Sequence, residues 1–169
     1  MINEIIASLA NVALALSFVV ALIFGIAQVK QAARDRRERL TLDTLRTVQT
    51  REFAELIHFI VSNDMPKSVE EMERLPVAQR AMFIQFSQLM ESLGIQVAEG
   101  LIDLDLVDKT LGSFVMTAWK KYEPIFISRR AVDPFLGEYF QWLALRTDEY
   151  TEQHPRMPFY KNTTRLPLS

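Results

Sequence analysis

Residues 5–29 read IIASLANVALALSFVVALIFGIAQV and carry no charged side chain. Nothing else in this 169-residue chain constrains the fold as strongly. As a helix, at about 1.5 Å per residue, the run extends roughly 37 Å. A bilayer's hydrocarbon core is roughly 30 Å thick. The run is apolar around its whole circumference, whereas a helix on the surface of a soluble domain keeps a polar face. A secretory signal would carry a basic segment before a short apolar core and a small-residue cleavage site after it. Here Glu4 precedes the run with no Lys or Arg before it, and a basic segment follows. The pattern predicts a retained transmembrane anchor over residues 1–29.

The flanks give an expected orientation. Lys30, Arg34, Arg36, Arg37 and Arg39 follow the run, with Asp35 and Glu38 among them. An excess of Lys and Arg marks the cytoplasmic side of a span. The expectation is a single-pass protein of a bacterial inner (cytoplasmic) membrane, N-terminus outside and C-terminal domain in the cytoplasm. The same five side chains would set topology or meet anionic lipid headgroups. The absence of cysteine agrees with a reducing compartment. All 19 Lys and Arg and 20 of the 21 Asp and Glu lie after residue 29, so that part is near neutral. Net charge supplies no general attraction to nucleic acid, which stays open as a partner without being indicated.

Small residues recur at every fourth position of the run: Ala13, Ser17, Ala21 and Gly25. In lipid, where helices associate through close packing, such residues let backbones approach. A second face carries Ser8, Asn11 and Ala15. The Asn11 amide is costly in hydrocarbon unless it finds a partner. Two such faces suit a helix with a neighbour on each side. The partners implied are the lipid bilayer and a second copy of the chain or another membrane protein.

Between Gly25 and Pro66 there is neither Gly nor Pro. Apolar residues recur near a 3.6-residue period at Leu42, Leu45, Val48, Phe53, Leu56, Ile57 and Ile60. The spacing predicts one helix from about residue 5 to about residue 61. Gln49 and Glu52 interrupt the heptad, which favours packing against the domain's own helices over a long coiled coil. Ser62, Asn63, Asp64 and Pro66 end this helix, and Ser68 with Glu71 has capping-box spacing for a short one reaching about Arg74. Pro76 opens a helix carrying Met82, Phe83, Phe86, Leu89, Met90 and Leu93, with Gly94 and Gly100 as terminators. Asp103 or Asp105 caps a further helix running through Val107, Phe114, Val115 and Trp119 to Tyr122, which Pro124 kinks or ends. Asp133-Pro134 starts the last, aromatic helix. The predicted class is all-α: a transmembrane helix continuous with a long cytosolic helix, packed into a small helical bundle. The expected divisions are an anchor at 1–29, a juxtamembrane helix at 30–61, a helical domain at 62–150 and an extended or disordered tail at 151–169.

Few residues point to chemistry. Arg51 and His58 lie seven apart, on one face of a helix. The spacing resembles the Arg-x(4–6)-His pattern of the higher-eukaryote-and-prokaryote nucleotide-binding (HEPN) ribonucleases, which implies phosphate stabilisation by Arg51 and proton transfer by His58. The polar residue usual within that motif is missing, since Glu52 follows Arg51. The bland alternative is a solvated Arg beside a partly buried His. Asp103, Asp105 and Asp108 form DxDxxD, without the Gly and closing Glu of a calcium loop, so helix capping explains them better than a metal. Trp119 and Tyr122 match the apolar period, leaving Lys120 and Lys121 to reach solvent, although the mixture also fits a nucleotide or headgroup patch. Phosphate-binding loops, nucleophile elbows and Cys/His metal signatures are absent. No cofactor and no metal is expected.

Three phrases carry a resemblance: LTLDTLRTVQT (residues 40–50), ESLGIQVAEGLIDLDLVDKTLG (91–112) and YFQWL (139–143), with Trp119 and Pro124 in W-x-x-x-x-P. On these the chain resembles a bacterial family of small, single-pass, membrane-anchored helical proteins defined only as a domain of unknown function. The resemblance implies fold and location and assigns no catalytic residues. The architecture is also similar to membrane accessory proteins of RNA-targeting CRISPR systems, which implies ring-shaped assembly.

Three functions follow as expectations. The first is a membrane-anchored, oligomeric interaction module facing the cytoplasm, without an enzymatic site. The second is a pore-forming or membrane-disrupting effector of anti-phage defence. The third is a membrane-tethered HEPN-like ribonuclease. The balance of residues favours a protein that is not an enzyme.

Overall fold

The computed structural model describes residues 2–158 and 161, with backbone alone at 4–8, 10, 12 and 45. Among these residues are seven helices and no strand: α1 (Ile2–Val48), α2 (Arg51–Ser62), α3 (Val69–Arg74), α4 (Val77–Ala98), α5 (Leu104–Thr110), α6 (Ser113–Arg129) and α7 (Glu138–Gln153). The all-α class expected from the sequence is the class found. The chain forms two compact units, Met1–Asp43 and Thr44–Ser169.

The first unit is helical throughout its described part. Its described apolar side chains are exposed: Leu14 is 73% exposed and Phe18 71%. This helix is long and apolar enough to cross a membrane. Ser17 Oγ donates to the Ala13 carbonyl at 2.8 Å, so its hydroxyl proton is satisfied within the helix. The Ser8 side chain lies outside the described residues.

The second unit departs from the sequence reading first at residues 49 and 50. One helix was expected to run to about residue 61, but α1 stops at Val48 and α2 begins at Arg51. Thr50 is the cause. Its hydroxyl donates to the Thr47 carbonyl at 2.9 Å and accepts from the Phe53 amide at 3.2 Å. One side chain thus satisfies both a carbonyl at the end of α1 and an amide at the start of α2. Glu52 in the first turn of α2 adds a favourable charge at its N-terminus.

Other boundaries follow local chemistry. The Asn63 amide donates to the Phe59 carbonyl at 2.8 Å and closes α2. Ser68 caps α3 by accepting from the Glu71 amide at 3.3 Å, while Glu71 reaches back to the Lys67 amide at 2.8 Å. The helix predicted from Asp103 to Pro124 is divided at Gly112, whose φ of +47° favours glycine. Pro124 does not end α6, which continues to Arg129. The last helix starts at Glu138 rather than at Asp133-Pro134; Asp133 instead accepts from the Phe135 amide at 3.2 Å, in a turn. The predicted tail begins late too, since α7 reaches Gln153. Pro167, expected in that tail, lies outside the described residues.

The core is aromatic. Phe83, Phe86, Trp119, Tyr122, Phe126 and Phe140 meet between α4, α6 and α7. Phe83 and Tyr122 stack with centroids 4.1 Å apart, and Phe86, Tyr122 and Phe140 are fully buried. Burying one such side chain contributes about 1.5–3 kcal/mol before packing geometry adds its share. The Tyr122 hydroxyl donates to the Phe83 carbonyl at 3.1 Å, so its polar tip is satisfied in the core. Burial pushes the Tyr122 phenol far above its ordinary range.

Candidate functional site

Two sets of residues singled out by the sequence lie in α1. Ala13, Ser17, Ala21 and Gly25 follow one another at successive turns, each exposed, and a Cβ placed on Gly25 would meet nothing within 4 Å. Asn11 is exposed as well. Lys30, Arg34, Arg36, Arg37 and Arg39 are all exposed further along the helix. Arg34 pairs with Glu38 at 3.3 Å, and Gln31 donates to Asp35 at 2.8 Å. These i,i+4 links support an exposed helix by a few tenths of a kcal/mol each.

Arg51 and His58 do share a surface groove, of about 530 Å³, with Glu55, Phe59, Gln79 and Met82. They do not converge on one point within it. The Arg51 guanidinium pairs with Glu55 at 2.7 Å, and His58 Nδ1 lies 3.2 Å from the Ser62 hydroxyl. Both residues are exposed. An acid–base site needs groups directed at a common reacting atom in a setting that excludes water, and neither condition is met by this pair.

The DxDxxD carboxylates do not converge on a common point. Asp103 holds the N-cap position of α5 but its side chain makes no cap bond. Asp105 pairs with Lys109 and accepts from the Tyr150 hydroxyl at 3.2 Å. The Lys109 hydrogen bond holds the Asp105 carboxyl below the usual carboxylate range. Asp108 is buried and faces Thr151 and Arg156. Among the described residues no group of three or more His, Cys, Asp or Glu side chains is placed to hold a metal ion.

The basic and aromatic residues of α6 are drawn into the fold. Trp119 and Tyr122 are buried and Lys120 is exposed. Lys121 does not reach for water. Its ammonium donates to the carbonyls of Ile60 (2.6 Å), Val61 (3.3 Å) and Asn63 (3.0 Å), at the negative end of α2. Arg130 lies 5.8 Å from the Trp119 ring centre and donates to the carbonyls of Leu136 (2.9 Å) and Gly137 (3.2 Å) and to the Gln141 side chain (2.5 Å).

Two phrases that looked characteristic in the sequence meet in space. Glu91 of α4 accepts from the backbone amides of Tyr139 (3.1 Å) and Phe140 (2.8 Å), so a carboxylate from one helix caps another. Gly94, expected to end α4, lies inside it: a Cβ there would fall 2.3 Å from the Tyr139 carbonyl oxygen. Gly137, at φ +67°, would drive a Cβ to 2.1 Å from the Phe126 ring. Glu91 and Gly94 of the first phrase thus meet Tyr139 and Phe140 of the second, where α4 packs against the start of α7. A match to the family described as Domain of unknown function (DUF4760) spans residues 15–147. The chain belongs to this family. No curated protein and no solved structure matches the chain. The matched segment takes in the second part of the apolar run, from residue 15, and the Glu91–Phe140 contact.

Sequence reasoning missed Glu91, Lys121, Asp108 and Arg156 as partners of distant groups. Only burial-prone positions for charged residues, as for Asp108 on the inward face of α5, offered any signal.

Proposed function

We propose that this chain is a single-pass membrane-anchored interaction module, with residues 5–29 in a bacterial cytoplasmic membrane and the helical domain in the cytoplasm. The observation that carries the reading is the exposure of the apolar side chains of residues 13–29, from Leu14 and Phe18 to Phe24 and Val29. In water this surface would be a large unsatisfied apolar area, and hydrocarbon removes that cost. The start of the family match at residue 15 supports a run that stays with the mature domain. The basic side chains from Lys30 to Arg39 support the cytoplasmic side for the domain. The face of Ala13, Ser17, Ala21 and Gly25 is the surface on which a second copy would pack.

The absence of cysteine makes the test direct. Single cysteines are placed at Asn3, Ala21 and Ser113 in otherwise unchanged chains. With a membrane-impermeant maleimide, Asn3→Cys labels in intact cells and Ser113→Cys only after permeabilisation. Extraction of the protein by alkaline carbonate, or the reverse labelling, would overturn the anchored topology. Ala21→Cys forms a disulfide-linked dimer in native membranes if copies pack through that face; its persistence as a monomer would remove self-association.

A further inference from the structure

Asp108 is the most deeply buried carboxylate among the described residues that is tied to a segment outside the bundle helices. Its side chain is 3% exposed, on α5, and is covered by α7 and by the residues just after it. Two groups face it, Thr151 and Arg156. Thr151 Oγ1 lies 3.0 Å from Asp108 Oδ1 and 2.8 Å from the Thr147 carbonyl. A hydroxyl has one proton, so Thr151 serves one of these acceptors at a time. The remaining partner is Arg156, beyond the end of α7, whose guanidinium forms an ion pair with Asp108 Oδ2. That approach supplies charge without alignment, because Oδ2 accepts no hydrogen bond among the described residues. The guanidinium side is 43% exposed, so its place is reachable from solvent.

A buried carboxylate with an exposed, poorly aligned cation on it is a site that a better-aligned cation can take. The planar fork of an arginine offers two parallel donors to a carboxylate, which a lysine ammonium does not. Among the described residues, His154 ties the segment that carries Arg156 to the end of α7: its ring stacks on Tyr150 with centroids 4.3 Å apart, and its backbone amide donates to the Tyr150 carbonyl at 2.9 Å. Tyr150 in turn donates to Asp105, a second carboxylate of α5. We propose that Asp108, with Thr151, is a socket for an arginine side chain of a binding partner, and that Arg156 is its built-in competitor. Residues 154–158 then act as a strap that occupies the socket until an arginine-bearing segment displaces it. The inference rests on the domain being an interaction module, but its test does not involve the anchor, so the two fail separately.

The experiment follows amide hydrogen exchange by mass spectrometry on the full chain in detergent. In Arg156→Gln, exchange of the α5 amides rises about tenfold or more, because a buried carboxylate has lost its cation. Millimolar methylguanidine restores their protection, while methylammonium at the same ionic strength does not. Unchanged exchange in the variant, no rescue, or equal rescue by both cations would overturn the socket. If the variant does not fold, the native chain gives a second arm. There, methylguanidine speeds exchange in residues 154–158 and leaves α5 protected. Release of α5 together with the strap, or no release of the strap, would overturn the proposal.

Discussion

The apolar run of α1 and the helix α4 are both rich in large apolar residues, and both contain an internal glycine. In α4, Phe83, Phe86 and Met90 are buried against α6 and α7. In α1, Phe18, Leu22 and Phe24 remain more than half exposed. The glycines repeat the contrast. A Cβ at Gly94 would overlap the Tyr139 backbone, whereas one at Gly25 would meet nothing. The difference shows that apolar content alone does not make a core helix. A core helix interleaves its apolar residues with groups that answer a neighbour, such as the Glu91 carboxylate and the Gly94 notch. The described side chains of the α1 run, Phe18, Leu22 and Phe24 among them, stay exposed within their own unit.

The comparison can be broken most sharply with matched truncations. Phe86→Ala should lower the stability of the bundle by about 3–5 kcal/mol, through lost burial and a residual cavity. Phe18→Ala should leave the bundle's chemical-denaturation midpoint unchanged. Equal losses in a urea titration of the two variants would erase the distinction.

The glycines give the next largest contrast. Gly94→Ala forces α4 away from α7 and should cost about 1–3 kcal/mol, as overpacking does. Gly25→Ala has no clash within the chain, so the bundle should keep its stability. Any loss of Ala21→Cys dimer in the Gly25→Ala background would then be assigned to a second copy. Thermal unfolding and crosslinking of the same two proteins read both effects.

A smaller change sharpens the account of α4. Glu91→Gln keeps the shape but removes the charge that faces the first amides of α7, and should cost about 1 kcal/mol, in the range of helix caps. The loss should concentrate in hydrogen exchange of Tyr139 and Phe140; uniform loss across all helices would argue against capping.

A last contrast depends on pH. Burial raises the Tyr122 pKa above that of the unfolded chain, near 10. Its contribution is therefore intact below about pH 10 and declines as pH rises beyond it, by up to about 1.4 kcal/mol per unit. Tyr122→Phe should flatten this alkaline slope relative to the wild type when urea midpoints are compared at pH 9 and pH 11. Parallel slopes would place the alkaline sensitivity elsewhere.

Much of the fold was legible because its signals are local. The uncharged run, the Ser68–Glu71 cap and the aromatic periodicity of α4 and α6 each lie within a few turns of chain. The misses share a different physics. Gly94 read as a terminator, since its reason is the Tyr139 backbone on another helix. Asp133-Pro134 read as a helix start, while the true start takes its cap from Glu91. Thr50 sits in a stretch without Gly or Pro that reads as continuous helix, and its hydroxyl bonds divide α1 from α2. Arg51 and His58 illustrate the reverse: seven-residue spacing brings them to one groove, but Glu55 and Ser62 take their polar atoms. Periodicity reports which face a side chain occupies and says little about which distant group will meet it.

The cap on α7 also orders events during synthesis. Glu91 is made 48 residues before the first amide it accepts. While the ribosome works through α5 and α6, that carboxylate has no amides to bind, and Phe86 lacks the cover of Phe140. Domains fold as units once their last element emerges. For this chain that element is α7, and by then an inserted α1 would already hold the nascent domain at the membrane. A product cut short before α7 would be a tethered half-core with its aromatic face open, a species for proteolytic clearance. Completion of α7 is the step at which Phe140 closes the aromatic core over Phe86 and Tyr122.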